Sequence, residues 1–151
     1  MRARGSRLSL PSERRSFTDL VRAWLAATLL SGLPSTAWAL VNGADVTEPT
    51  RAAGAMLLPH ESSFARLVGA AILVHSSVSA FWATALWRTL PRRATLEWAL
   101  LAAALIALLD LKIIAPLWFP SVAALEFWPQ FADHLMWGAA YGIALGWRQR
   151  L

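Results

Sequence analysis

Residues 99–120 read ALLAAALIALLDLKIIAPLWFP. Alanine, leucine and one isoleucine fill the first eleven positions, and then Asp110 and Lys112 interrupt the run. A run of this kind is long enough to cross lipid, since a spanning helix needs about 20 predominantly apolar residues. A soluble helix would carry a polar stripe along one face, and the middle of this one has none. The two charges therefore need an explanation in a solvent that penalises charge.

Three further runs have similar character. They cover about residues 20–41, 65–87 and 131–147, and the quoted run contributes a helix over about 96–114. The expected fold is all-α: a polytopic membrane protein with four transmembrane helices over residues 20–151, preceded by an Arg-rich cytoplasmic tail at 1–19. Composition agrees, with 57% hydrophobic residues, only 15% charged and nine tryptophans in 151 residues. The pI near 11.3 raises nucleic acid as a partner. The basic residues argue against it, because they alternate with apolar runs and form no single patch. Cysteine is absent, which excludes disulfides, thiolate metal sites and cysteine nucleophiles.

The arginines also predict orientation. Arg2, Arg4, Arg7, Arg14, Arg15 and Arg22 precede or open the first run. Arg88, Arg92 and Arg93 lie between the second and third runs, and Arg148 and Arg150 follow the fourth. The other loops and flanks carry only Arg51, Arg66 and Lys112. The positive-inside rule places both termini in the cytoplasm, and residues 42–64 and 115–130 outside. A second reading of the N-terminus stays open: RRSF at 14–17, an apolar stretch and Ala37-Trp38-Ala39 resemble an export signal with a cleavage site. If the segment is retained, Gly32 and Pro34 should kink the first helix.

Small residues at four-residue spacing let membrane helices approach closely. Gly138, Gly142 and Gly146 form such a stripe on the fourth run, and His134 continues it. Ala103, Ala107 and Asp110 share a face of the third run, and Ala71, His75, Ser79 and Ala83 a face of the second. His75, Asp110 and His134 should therefore point inward. Lys112 lies about 200° from Asp110 around an α-helix and continues Leu101, Leu105 and Leu108, so it is expected to face lipid and snorkel to headgroups. By helical rise, Asp110, Asp133, His134 and Thr36 fall in one outer layer, with Ser35 beside Thr36 and His75 beneath.

That buried polar layer of His75, Asp110, Asp133, His134 and Thr36 is the candidate site. One expectation is structural: Asp110 pairs with His134, Asp133 caps the fourth helix, and the protein is a structural or partner subunit of a membrane assembly. The alternative is a small transporter or a proton or ion relay, because an ionisable residue inside a membrane usually serves function and histidine titrates near neutrality. His60 and Glu61 could join the layer as N/O ligands. No HxxxH or HExxH spacing supports a metal, and no nucleophile or phosphate-loop motif marks catalysis, so neither metal, cofactor nor catalytic residue is expected. The lipid bilayer is the expected partner, with a second copy or another membrane protein besides.

SGLPSTAWAL (31–40), PTRAAGAMLLP (49–59), HSSVSAFW (75–82), Leu109-Asp110 and PQFADHLMWGAAYG (129–142) together resemble a family of small four-helix integral membrane proteins of the bacterial inner membrane, a family with no characterised activity. The resemblance covers most of the chain after about residue 30. It implies four helices and puts Pro34, Asp110, Asp133 and His134 in the shared pattern. It implies no substrate or cofactor.

Overall fold

The computed structural model describes residues 15–147. The arginines before Arg15, together with Arg148 and Arg150, lie outside the described residues. The fold is all-helical, with no strand among the described residues. The elements are α1 Phe17–Leu30, α2 Leu33–Asn42, α3 Glu48–Ala55, α4 Phe64–Thr89, α5 Thr95–Leu109, a π-helical turn at Asp110–Ile114, α6 Ala115–Trp118, α7 Pro120–Ala123 and α8 Phe127–Gly146.

Three stretches are long and apolar enough to cross a membrane: Phe17–Asn42, Phe64–Thr89 and Thr95–Trp118. They support a membrane protein. α8 has 20 residues but is not among the three, since Gln130, Asp133 and His134 dilute its hydropathy.

Local chemistry sets the helix ends. Ser16 and Asp19 form a reciprocal capping box at the start of α1, with each backbone N–H donated to the other's side chain. The first helix thus begins inside the stretch expected to be tail. α1 stops at Leu30, and α2 restarts after Ser31 and Gly32 with Pro34 in its first turn. Proline has no N–H to continue the ladder, so the apolar stretch is broken in two. α2 ends at Gly43, whose φ of 67° is the left-handed cap that glycine adopts without strain. α8 starts at Phe127, four residues before the expected start, and the third span continues to Trp118 rather than 114.

Two ends of the molecule can be distinguished. At one, Arg15 donates to the carbonyls of Trp87, Leu90 and Pro91 at 3.0–3.3 Å, and Arg22 donates to Ala144 O at 2.8 Å. This end gathers the start of α1, the α4–α5 loop and the end of α8. The opposite end carries α3, α6 and α7, where the Ser121 hydroxyl donates to Ala52 O. α3 lies directly on α4: a Cβ at Gly54 would sit 2.3 Å from Leu67 O, so no larger residue fits there.

α8 is the central helix. It packs against α1, α2 and α5, while α4 packs on α1. The α5 contact is backbone-close. A Cβ at Gly138 would lie 2.5 Å from the Ala103 Cβ, and one at Gly142 would lie 2.9 Å from the Ala99 Cβ. Gly146 differs from its stripe partners, because its nearest neighbour would be 3.8 Å away and nothing there demands glycine. α4 stands further off and is reached by long side chains. The Trp137 Nε1–H donates to Ser79 Oγ at 2.8 Å, and the Tyr141 hydroxyl donates to Ala83 O at 2.6 Å. The two rings stack in parallel, 5.1 Å apart, and fill the gap between α8 and α4.

Candidate functional site

Towards the α3 end the same gap is not filled. A cavity of about 430 Å³ opens there, walled by the α1–α2 break, α3, α4, the start of the π turn and α8. His75, Asp110, Asp133, His134 and Thr36 all line it. Four elements of the sequence separated by loops thus deliver their polar residues to one space.

Asp133 does not cap its own helix. It lies in the second turn of α8, and Glu126 occupies the N-cap position without a side-chain cap. Instead Asp133 Oδ1 accepts the Ser35 N–H at 2.8 Å. Ser35 is in the first turn of α2, where backbone N–H groups have no partner within the helix. A carboxylate from one helix therefore caps another, at the positive end of its dipole. The break at Ser31–Gly32 creates the need, and α8 meets it.

His134 and Asp110 face each other, with His134 Nε2 3.5 Å from Asp110 Oδ2. His134 Nδ1 lies 2.8 Å from Gln130 O. A carbonyl only accepts, so Nδ1 carries a hydrogen. In neutral imidazole, Nε2 then has none. An attractive contact with Asp110 requires one more proton, on the imidazole or on the carboxyl. Asp110 also opens the π turn, and π turns within α-helices frequently mark functional positions.

A serine, a backbone carbonyl or Thr36 is the expected partner of His75, and it meets the first two. Its Nε2 lies 3.1 Å from Ser31 Oγ and 3.1 Å from Thr28 O. Thr28 Oγ1 meets Ser79 Oγ at 2.6 Å, which also receives Trp137. Thr36 bonds back to Gly32 O at 2.7 Å and lines the cavity, but it and His75 are exposed rather than buried as expected. Ser31, Thr28, Gln130 and Thr50 of α3 are cavity residues that sequence reasoning passed over. Thr28, Ser31 and Ser35 recur at spacings of three and four, a one-face signal that was present.

Lys112 is exposed, and its Nζ lies 4.1 Å from the centre of the Phe127 ring, a cation–π contact that ties the π turn to the start of α8. The exposure of Lys112 agrees with the expectation that it points out of the bundle rather than towards Asp110. His60 is exposed in the α3–α4 turn. Glu61 pairs with Arg66 at 3.0 Å. Neither lines the cavity. Among the described residues, no group of three or more His, Asp or Glu is placed to hold a metal ion.

Comparison with known proteins found no matching family model, curated protein or solved structure.

Proposed function

We propose that the chain is a four-span integral protein of the bacterial inner membrane, with both termini cytoplasmic, that binds a small solute on its outer side as a partner subunit of a membrane assembly. The cavity carries this reading. It has the size of a small-molecule site, and its polar groups converge from several helices.

α8 supplies the fourth span in this reading. A central helix packed against α1, α2 and α5 shows little surface to lipid, so it needs less hydropathy than its neighbours. Charge supports the orientation. Arg15, Arg22, Arg88, Arg92 and Arg93 belong to the end that becomes cytoplasmic. At the α3 end, Arg51 and Arg66 are paired with Asp45 and Glu61, which leaves little free positive charge. The resemblance to small four-helix membrane proteins is in keeping with this arrangement.

Beneath the cavity the space between α4 and α8 is filled. Trp137 and Tyr141 are almost fully buried and block the path between α4 and α8. Such a site binds from one side and does not conduct by itself, which is why a partner is part of the proposal. A relay role has one observation in its favour, the single proton required between Asp110 and His134.

Two experiments test the reading. Topology reporters fused at residues 45, 91, 122 and 151 should read outside, inside, outside and inside; a cytoplasmic 122 refutes the orientation. A small-solute thermal-shift screen should give hits with the native chain that vanish in Thr50→Trp, which fills the cavity from α3. Hits that survive the substitution would sink the cavity as the binding site.

A further inference from the structure

We propose that the cavity takes a small organic ammonium ion, an inference that rests on the solute-binding reading above. The charge balance points there first. Asp110 and Asp133 line the cavity, and among the described residues no lysine or arginine does. The titratable groups facing it are those two carboxylates, from the π turn and α8, and two imidazoles, His75 from α4 and His134 from α8; α2 and α3 contribute none. Among the described residues the cavity thus offers two carboxyl groups and no permanently charged cation. An anion would meet two carboxyl groups with no lysine or arginine to balance it, whereas a cation finds acceptors there.

Size and wall chemistry narrow the class. At about 430 Å³ the space is far larger than a bare metal or alkali ion needs, and it lies in the range that holds small organic molecules. The remaining wall is apolar and aromatic, with Ile72, Val78, Ile106, Trp82 and Trp137 among its residues. Methyl or methylene groups around a positive nitrogen suit such a wall, and indole rings attract a desolvated cation. A hard inorganic cation would instead require a closed set of oxygen ligands. Carboxyl groups and indoles lining one space match an ammonium centre that carries carbon substituents.

The test uses the purified full chain in lipid nanodiscs. Tetramethylammonium and methylammonium chloride are titrated by calorimetry against sodium chloride of equal ionic strength, with glycerol and sodium acetate as neutral and anionic counterparts. The expected result is saturable binding of an ammonium probe only. Asp133→Asn and Asp110→Asn should each weaken it at least tenfold, which corresponds to about 1.4 kcal/mol. Both variants keep a carbonyl acceptor, so the Ser35 N–H retains its partner. Undiminished affinity in folded Asn variants overturns the proposal. Should those variants fail to fold, Thr50→Trp changes neither carboxylate and must abolish ammonium binding; retained binding overturns the proposal. Saturable binding of glycerol or acetate but not of ammonium refutes the cation class and leaves the solute site standing. No saturable binding of any probe by the folded native chain refutes both.

Discussion

Gly138→Ala is the substitution that bears most directly on how α8 meets α5. The added Cβ would sit 2.5 Å from the Ala103 Cβ and 2.9 Å from the Ala99 carbonyl oxygen. Carbon atoms prefer about 3.5–4.0 Å, so the helices must part by about 1 Å at this level. Overpacking of this kind costs about 1–3 kcal/mol, against about 1 kcal/mol gained because alanine favours helix over glycine. The expected net loss is about 0–2 kcal/mol. Gly146→Ala meets nothing closer than 3.8 Å, so it should keep the propensity gain and be neutral or slightly stabilising. Two glycines on one stripe should therefore differ by about 2 kcal/mol, from the balance of the same two effects. Adding Ala103→Gly to Gly138→Ala removes the closest atom but not the Ala99 carbonyl, so rescue should be partial. Reversible unfolding in mixed micelles, followed by tryptophan fluorescence, measures the native chain and all three variants. Equal midpoints for Gly138→Ala and Gly146→Ala would refute the claim that backbone approach at Gly138 shapes the contact.

Asp133→Ala leaves the Ser35 N–H without an acceptor and should cost about 1–3 kcal/mol in thermal unfolding, while Asp133→Asn should cost much less; equal losses would mean that charge, not the cap, matters. Trp137→Phe keeps the ring beside Tyr141 but removes the bond to Ser79, an expected loss of about 1 kcal/mol in the same assay. At the turn before α3, hydrogen bonds from Thr47 and then Arg51 lower the Asp45 carboxyl from 3.8 to about 2. A depressed carboxyl adds stability above its unfolded value and loses it as pH falls through the folded one. NMR signals of residues 45–51 should therefore hold steady from pH 7 to about 4 and change between there and about 2, the window set by that lowered carboxyl; a transition near pH 5 would contradict the Asp45–Thr47–Arg51 clasp.

The apolar runs and small-residue stripes were legible because each depends on one-dimensional spacing. A stretch such as 99–109 has too few polar atoms to be anything but a buried or lipid-borne helix. Gly138 and Ala103 mark the faces that meet, and the inward placement of Asp110 and His134 follows from those faces. What escaped depends on backbone choices with no periodic signature. The π turn at Asp110–Ile114 and the contact of Lys112 with Phe127 are announced by nothing in the residue types. The role of Asp133 became visible only once the α1–α2 break had presented the Ser35 N–H to α8. Ser31 was overlooked for the same reason, since it lies at the break itself.

The cavity follows from two stripes that run side by side on α8. Gly138 and Gly142 follow Trp137 and Tyr141 by one residue each, so every turn offers a small face to α5 and an aromatic to α4. The glycines draw α5 in until backbones touch. The aromatics hold α4 at the length of a ring and fill what lies between. One turn nearer the α3 end the pattern continues as Asp133 and His134. His134 takes the glycine-stripe position and faces Asp110 on the α5 side. Asp133 takes the aromatic position, but a carboxylate is too short to reach α4, and it turns to Ser35 instead. The spacing set by Trp137 and Tyr141 persists while the filler stops, and the space that remains is the cavity. Asp133→Phe should therefore continue the aromatic column and close the cavity, abolishing any solute-dependent thermal shift while the α5–α8 contact is kept. If the solute response survived that substitution in a folded protein, the filler argument would be wrong.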